Sequence, residues 1–489
     1  MHQPTPQQSA LWSTATDPSL SVAVSAVAGS GKTFSAQQWA NLCPGTGLAT
    51  SFSKSTVTEL GKKMPAKFPS RTTHGIGKDA IANSGRFKKI DSNKVGSIAK
   101  DLCAEHDLSW QLIAPISQLV SQAKTAGIVP NQDNGLCLNI YEAWEMLAEQ
   151  FDIYFSPEVY DIARQALEKS NELALKEGII DFDDMLYIPL FWPHRFSRYK
   201  TVIVDEAQDL NPLQHRMISR ILLPDARIFA CGDPNQAIYA FRGAMHDSYS
   251  ELVSRFSMSE MPLTVSFRCP RAVVHEAQRY VPHIESAPNA IEGAVIHHDS
   301  LSLHELPRTI LCRNNAPLVQ LALRCLIQGI SAEVAGRDIG KGLVSLTKRI
   351  ASGKTSDTMP AHTFIERLHR WAESEISKKP RRKPSVYDKV VALEAISSMH
   401  RTLGDVRKHL EKLYVDPEDQ SRSPAQLHLT TIHKAKGREW PEVLFLDPHL
   451  LPSKYAEQEW ELQQEANLAY VGITRAQETL HYCALADIA

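Results

Sequence analysis

The stretch AVAGSGKT, residues 26–33, follows the apolar run Val22-Ala23-Val24 and decides how the first part of the chain folds. Gly29, Ser30 and Gly31 let the backbone bend so that successive N–H groups turn inward toward phosphate oxygens. A helix beginning near Lys32 adds the positive end of its dipole at the same point. Lys32 supplies a point charge for the β- and γ-phosphates, and the Thr33 hydroxyl is a magnesium ligand. Ala26 stands where the pattern GxxxxGK[ST] has its first glycine, so the pattern is missed by one residue.

Working outward, residues 202–209 read VIVDEAQD. Thr201 to Val204 are β-branched and apolar, as a buried parallel strand requires. The strand ends in Asp205 and Glu206, where open α/β sheets bind ligands. Asp205 is expected to hold Mg²⁺ through water, and Glu206 to orient and deprotonate an attacking water. With GDPNQAIYAFRGA following at 232–244, the order of these elements describes an NTP-driven motor.

Composition bounds the rest. The 489 residues are 43% hydrophobic, enough for about two to four domains. A formal net charge of −2 gives no global basic field, so any DNA contact must be a local groove. The 8 cysteines are dispersed with no CxxC, which argues against zinc and iron–sulfur sites and predicts free thiols in a reducing compartment. MHQPTPQQSA lacks an apolar signal core, and no run of about eighteen apolar residues occurs, so a soluble cytoplasmic protein is expected, or a nuclear one in a eukaryote.

An ordered series of short motifs from Thr5 to Ala476 resembles the superfamily 1 helicases of the UvrD/Rep/PcrA type, in the style of their compact phage and F-box DNA helicase branch. TPQQ at 5–8 resembles the adenine-reading glutamine motif, with Gln8 favoured by its spacing from Thr5 and Gln7 as the alternative. The loop Ala28-Gly29-Ser30-Gly31-Lys32-Thr33-Phe34 is the implied nucleotide cradle, although Phe34 replaces an arginine common there. SFSK at 51–54 resembles the motif whose aromatic, Phe52 here, packs on a base, with Lys54 beside it. Lys62, Lys63, Lys67 and Arg71 follow and could track phosphates. TTHGIG at 72–77 implies DNA contacts by Thr73 and His74. GIIDFDDML at 178–186 matches a segment whose carboxylates are expected to be structural.

Later motifs complete the resemblance. In GDPNQAIYAFRGA, Gln236 matches a γ-phosphate sensor, Tyr239 and Phe241 match base-stacking aromatics, and Arg242 a coupling arginine; Phe241 stands where tryptophan is usual. SFRCP at 266–270 implies Phe267 on adenine and Arg268 at the γ-phosphate. TTIHKAKGREW at 430–440 implies Thr431 and His433 on DNA phosphates, Gly437 where backbone approaches the nucleotide, and Glu439 on the ribose hydroxyl. NLAYVGITRA at 467–476 carries Arg475 as the arginine finger, a device worth ~10³–10⁵ in rate in related phosphoryl transfers. Gln464 and Ala466 replace a common Glu and Arg just before it.

The resemblance implies an α/β fold of two RecA-like P-loop motor domains with parallel sheets and inserted, mainly helical subdomains. Residues 1–84 and 178–258 form domain 1A in this reading, 85–177 the helical insertion 1B, 259–350 and 424–489 domain 2A, and 351–423 a reduced 2B-like insertion. The run KKPRRKPS at 378–385 is read first as a linker, with a DNA contact or localisation signal as alternatives. With thirteen residues after Ala476, no nuclease domain is expected. The implied activity is an ATP- and Mg²⁺-dependent DNA helicase, monomeric, moving 3′→5′ on single strands and at single-strand/duplex junctions. Alternatives are a translocase that strips bound proteins and an inactive DNA-binding relative. Opening a duplex step costs ~1.4 kcal/mol, while a base on an aromatic platform recovers ~1–3 kcal/mol, so Phe52, Tyr239 and Phe241 could hold a freed base.

Overall fold

The computed structural model describes residues 3–51, 53–130, 134–151, 153–238, 247–351, 356–378, 383–415 and 426–489. The chain divides into two units, Met1–Leu263 and Thr264–Ala489. Among the described residues each unit is built on a parallel sheet.

In the first unit the strands are β1 (Val22–Ala26), β2 (Leu48–Ser51), β3 (Ser70–Thr72), β4 (Tyr199–Asp205), β5 (Leu222–Gly232) and β6 (Ser259–Leu263). They lie in the order β3-β2-β4-β5-β1-β6, every pair parallel. A parallel sheet is covered on both faces, which is why Val202, Ile203 and Val204 are all fully buried. Successive residues alternate between faces. Val24, Ile203 and Phe229 join Trp39 and Leu11 in one core, while Val202, Val204 and Ile228 join the other.

That second core also holds the inserted helices. Lys94–Glu105, Ile113–Ala126, Tyr141–Gln150 and Pro157–Glu172 run between β3 and β4 in the chain, and their Leu102, Leu119, Trp144 and Leu167 pack in the same cluster as Val204. A short parallel pairing of Lys89–Ile90 with Ile179–Ile180 brings the two ends of the insertion together. Beneath it lies a buried quartet of charges. The ammonium of Lys124 reaches Asp181 at 2.6 Å and Asp184 at 2.7 Å, and Lys94 pairs with Asp184 and donates to the Ser170 carbonyl at 3.0 Å. Burial opposes the charge of Lys124, but Asp184 and Asp181 outweigh it and hold its pKa above the usual lysine value. Asp183 accepts from the Ser121 hydroxyl at 2.6 Å. The carboxylates of GIIDFDDML thus tie the insertion helices to the start of helix Asp184–Phe191, which precedes β4 in the chain.

In the second unit the strands are β7 (Ala294–His297), β8 (Thr309–Cys312), β9 (Ala332–Ala335), β10 (Tyr414–Val415), β11 (Leu427–Thr431), β12 (Trp440–Leu446) and β13 (Ala476–Cys483). Their order is β7-β13-β12-β8-β11-β9-β10, again all parallel. Helices Ala361–Lys378, Lys383–Ser398 and Leu403–Leu413 lie between β9 and β10 in the chain. Their Phe364, Leu368, Leu393 and Val406 share one core with Ile310, Leu429 and Leu444 of the sheet. The basic run at 378–385 joins the first two of these helices, and its residues 379–382 lie outside the described set. Both units are RecA-like α/β domains carrying helical insertions. Among the described residues no helix is long and apolar enough to cross a membrane.

Candidate nucleotide and DNA sites

Strand β1 delivers the loop to the carboxyl end of its sheet, and helix Lys32–Leu42 starts immediately after it. Gly29 and Gly31 have φ of 73° and 76°, left-handed values that turn the loop without the steric cost a Cβ would bring. Ala26 is still in the strand, paired with Leu263, and has no positive φ. Nothing at that position requires glycine, which explains why the pattern tolerates the change. Ser30 is buried and its hydroxyl has no hydrogen-bond partner among the described residues.

Gln8 faces the same loop. Thr5 and Gln8 form a capping box in which the Gln8 carbonyl accepts from the Thr5 N–H at 3.1 Å. Its amide nitrogen is buried without a partner among the described residues, and a Cβ built on Gly31 would sit 3.6 Å from it. With its oxygen engaged by the helix cap, donation is what the Gln8 carboxamide offers a ligand. Gln7 is half-exposed. Phe34 is exposed and meets Trp12 edge-on, ring centroids 5.9 Å apart.

Because β4 and β1 flank β5, the carboxyl ends of three strands converge. Asp205 is buried at the end of β4. Glu206 follows with φ of 54°, a left-handed conformation unusual outside glycine and characteristic of strained functional positions. A chain of hydrogen bonds leaves it: Gln208 Nε2 donates to Glu206 Oε2 at 2.5 Å, Gln208 Oε1 accepts from the Asp233 N–H at 3.1 Å, and Gln236 Nε2 donates to Asp233 Oδ2 at 2.7 Å. A Cβ at Gly232 would lie 2.6 Å from Gln208 Oε1, so a side chain there would push the Gln208 carboxamide out of this chain of hydrogen bonds. The Cys231 thiol donates to Asp205 Oδ1 at 3.1 Å.

Charges in this cluster are mutually dependent. Burial, then the adjacent charge of Glu206, pushes Asp205 up to about 6. Burial opposes the charge of Lys32, yet Glu206, Asp233 and Asp205 outweigh it and raise its pKa. Two neighbouring carboxylates of which one resists ionising fit a site completed by a cation. Among the described residues no group of three or more His, Cys, Asp or Glu could hold a metal alone. Magnesium would therefore depend on Thr33, Asp205, water and phosphate oxygens, its ordinary mode with nucleotides. The left-handed glycines, the unpartnered Gln8 and Ser30 atoms and the carboxylates fit a magnesium nucleotide.

The sequence singled out Lys32, Thr33, Asp205, Glu206 and Gln236 but not Gln208, Asp233 or Cys231. Gln208 and Asp233 lie within the quoted stretches VIVDEAQD and GDPNQAIYAFRGA, and Cys231 immediately precedes the second; a buried polar residue beside a strand end is the signal.

Among the DNA candidates of this unit, Lys54 is exposed on the first turn of helix Lys54–Lys63, which Ser53 caps. Thr73 is fully buried and its hydroxyl accepts from Gln214 Nε2 at 3.1 Å, whereas the neighbouring half-buried Thr72 caps the helix. His74 is partly buried 6.3 Å from Phe182, and burial lowers its pKa. Phe52, Tyr239, Phe241 and Arg242 lie outside the described residues.

In the second unit, Arg268 and Glu439 form an ion pair. Glu439, expected on a ribose hydroxyl, and Arg268, expected at a γ-phosphate, are thus partners of each other in this structure. Arg475 is buried, donating to the carbonyls of Val471 at 2.9 Å and Arg438 at 3.1 Å, and to Thr474 Oγ1 at 3.1 Å. Burial, then the nearby Arg268, pushes its pKa down to about 10, which leaves it charged at neutral pH. Phe267 is exposed. Gly437 has φ of 82° with open space where a Cβ would be, suited to close backbone approach. Thr431 ends β11, and with His433 it lines a cavity at the sheet's carboxyl edge.

Comparison with known proteins agrees with this architecture. Residues 6–257 match the UvrD/REP helicase N-terminal domain, and residues 344–485 the UvrD-like helicase C-terminal domain. F-box DNA helicase protein 1 of Schizosaccharomyces pombe is 27% identical over 314 residues, 59% of this chain and 34% of that protein. The ATP-dependent DNA helicase Rep of Buchnera aphidicola is 26% identical over 196 residues, 37% of this chain and 26% of that protein. The ATP-dependent DNA helicase srs2 of S. pombe is 23% identical over 254 residues, 47% of this chain and 28% of that protein. In each case the match spans about a third or less of the relative's length. With the first domain match covering half of the chain, and the loop and the acidic strand end meeting at one sheet edge, the chain belongs to the UvrD/REP helicase family.

Proposed function

We propose that this chain is an ATP-dependent DNA helicase that moves 3′→5′ on single strands and opens duplex at junctions. In this reading residues 1–84 and 178–258 are motor domain 1A, 85–177 insertion 1B, 259–350 and 424–489 motor domain 2A, and 351–423 a shortened 2B. The observation that carries the proposal is the hydrogen-bonded chain Glu206–Gln208–Asp233–Gln236 at the mouth of the phosphate loop. It links a candidate base to a candidate phosphate sensor, as a motor needs and a passive DNA-binding protein does not.

The chemistry follows from these residues. Bound Mg²⁺ would spread the negative charge of the phosphates, held through Thr33 and Asp205. Lys32 and the loop N–H groups orient the β- and γ-phosphates. Glu206, steadied by Gln208, accepts a proton from the attacking water. Gln236 senses the γ-phosphate and passes its presence or loss through Asp233 and Gln208. Gln8 donates to the adenine edge and Phe267 stacks on the ring. Arg268 and Arg475 supply positive charge to the transferring group after exchanging their present partners. Lys54, His74, Thr431 and His433, with Phe52, Tyr239, Phe241 and Arg242, are the proposed DNA contacts.

Strand separation on a duplex with a 3′ single-stranded tail, compared with a 5′ tail, tests this directly. ATP-dependent unwinding of the 3′-tailed substrate alone is expected. Strong ATPase on single strands without separation of either substrate would replace the helicase reading with a translocase.

A further inference from the structure

A cavity of about 1260 Å³ opens at the carboxyl edge of the second sheet, beside β8, β11 and β12. It exceeds the ~300–1,000 Å³ usual for a small-molecule site, which suits an extended ligand. Thr431 and His433 line it, but much of its wall comes from elsewhere. Helix Lys383–Ser398 contributes Lys383 and Tyr387, and the loop after β12 contributes Lys454 and Tyr455. Each lysine lies over its tyrosine, Lys383 at 5.9 Å and Lys454 at 5.2 Å from the ring centroid. Tyr387 is 46% exposed, an aromatic surface that the core does not use.

The other charges in the wall are already engaged. Asp388 accepts from the Ala316 N–H at 2.8 Å, Asp447 from the Leu485 N–H at 2.8 Å, and Arg313 is held by Glu465 at 2.7 Å. Lys383 and Lys454 make no ion pair among the described residues. What the cavity offers a ligand is two cations, each beside a flat aromatic face. A small anion has no use for the rings, and a duplex hides its base faces. A single strand, with phosphates and unstacked bases, uses both.

We propose that helix Lys383–Ser398, within the shortened insertion, is part of the single-strand track: bases stack on Tyr387 and Tyr455 while Lys383 and Lys454 pair with phosphates. The inference rests on the DNA-motor reading. It gives the insertion a fixed role, because Val386, Val390 and Leu393 of the same helix are buried in the core of the sheet. Asp388 also pins the helix to the start of helix Asn315–Ile327. The wall therefore moves with the sheet.

The test is binding of a fluorescent oligothymidylate and a hairpin duplex to the full chain, with ATPase half-saturation measured on the same oligonucleotide. Tyr387→Ala and Tyr455→Ala are each expected to weaken single-strand binding by about 5- to 100-fold, the range of a lost base–aromatic stack. Tyr387→Phe should restore it, which separates stacking from misfolding. Lys383→Ala and Lys454→Ala should each flatten the salt dependence by about 0.7 in log–log slope. Wild-type affinity and slope in all four alanine variants, or equal losses on hairpin and single strand, would overturn the inference and leave the motor reading standing. A wild-type ATPase indifferent to the oligothymidylate would overturn both.

Discussion

Glu206 is held by its own backbone as much as by its neighbours. Its backbone is left-handed directly after β4, and Gln208 donates to its carboxylate. Glu206→Gln should therefore lower kcat by about 10²–10⁴-fold, the usual worth of a general base, with little change in nucleotide affinity. Gln208→Ala should also lower kcat more than it changes KM, read by steady-state ATPase, because it removes support from a base rather than a binding contact. The sequence made the charged residues of this cluster legible, since Lys32, Asp205 and Glu206 follow strand ends whose pattern is plain. It did not make their partners legible. Gln208 and Asp233 are distant in sequence and meet only because β4 and β5 are adjacent, and Thr73 is indistinguishable from Thr72 until a helix cap assigns one of them inward.

At the level of elements, the charge quartet under the first insertion is the strongest handle. Removing one member of a buried ion network strands its partners, at a cost of about 3–5 kcal/mol. Lys124→Met should lower the thermal stability of the first unit by that order, measured by calorimetry. Helix Pro212–Ile221 gives a pH signature. Its His215 is buried, with Nε2 2.9 Å from the Ser248 hydroxyl, which itself donates to the Ala207 carbonyl. Burial, then Arg255, lowers its pKa to about 4 from the model-compound value of 6.5. The unfolded chain therefore binds the proton first. The stability that neutral His215 confers is complete above pH 6.5 and is lost as pH falls toward 4, on the order of 3 kcal/mol at most. Denaturant midpoints taken across that window should fall, and His215→Gln should flatten the fall. The helical character of the first insertion is written in amphipathic runs such as YEAWEMLAEQF at 141–151, whereas that of the second is implied only by the resemblance. That each insertion shares a core with its sheet is not written there, because the same apolar stripe would serve a free-standing bundle equally well.

For the whole molecule, the order of motifs along the chain carries most of the functional reading, and the two parallel sheets give those motifs a common edge in each unit. Arg268 and Arg475 show what order alone misses: in this structure one is paired with Glu439 and the other is hydrogen-bonded within its own unit. Their proposed catalytic use requires a change of partners, so nucleotide turnover and rearrangement of the second unit should be coupled. The most direct measurement is the rate of ATP hydrolysis at fixed salt with and without single-stranded DNA, for the wild type and for Lys32→Ala. A rate raised severalfold or more by the single strand, and abolished in the variant, is expected. Hydrolysis that ignores the strand, or that survives loss of the Lys32 ammonium, would contradict it.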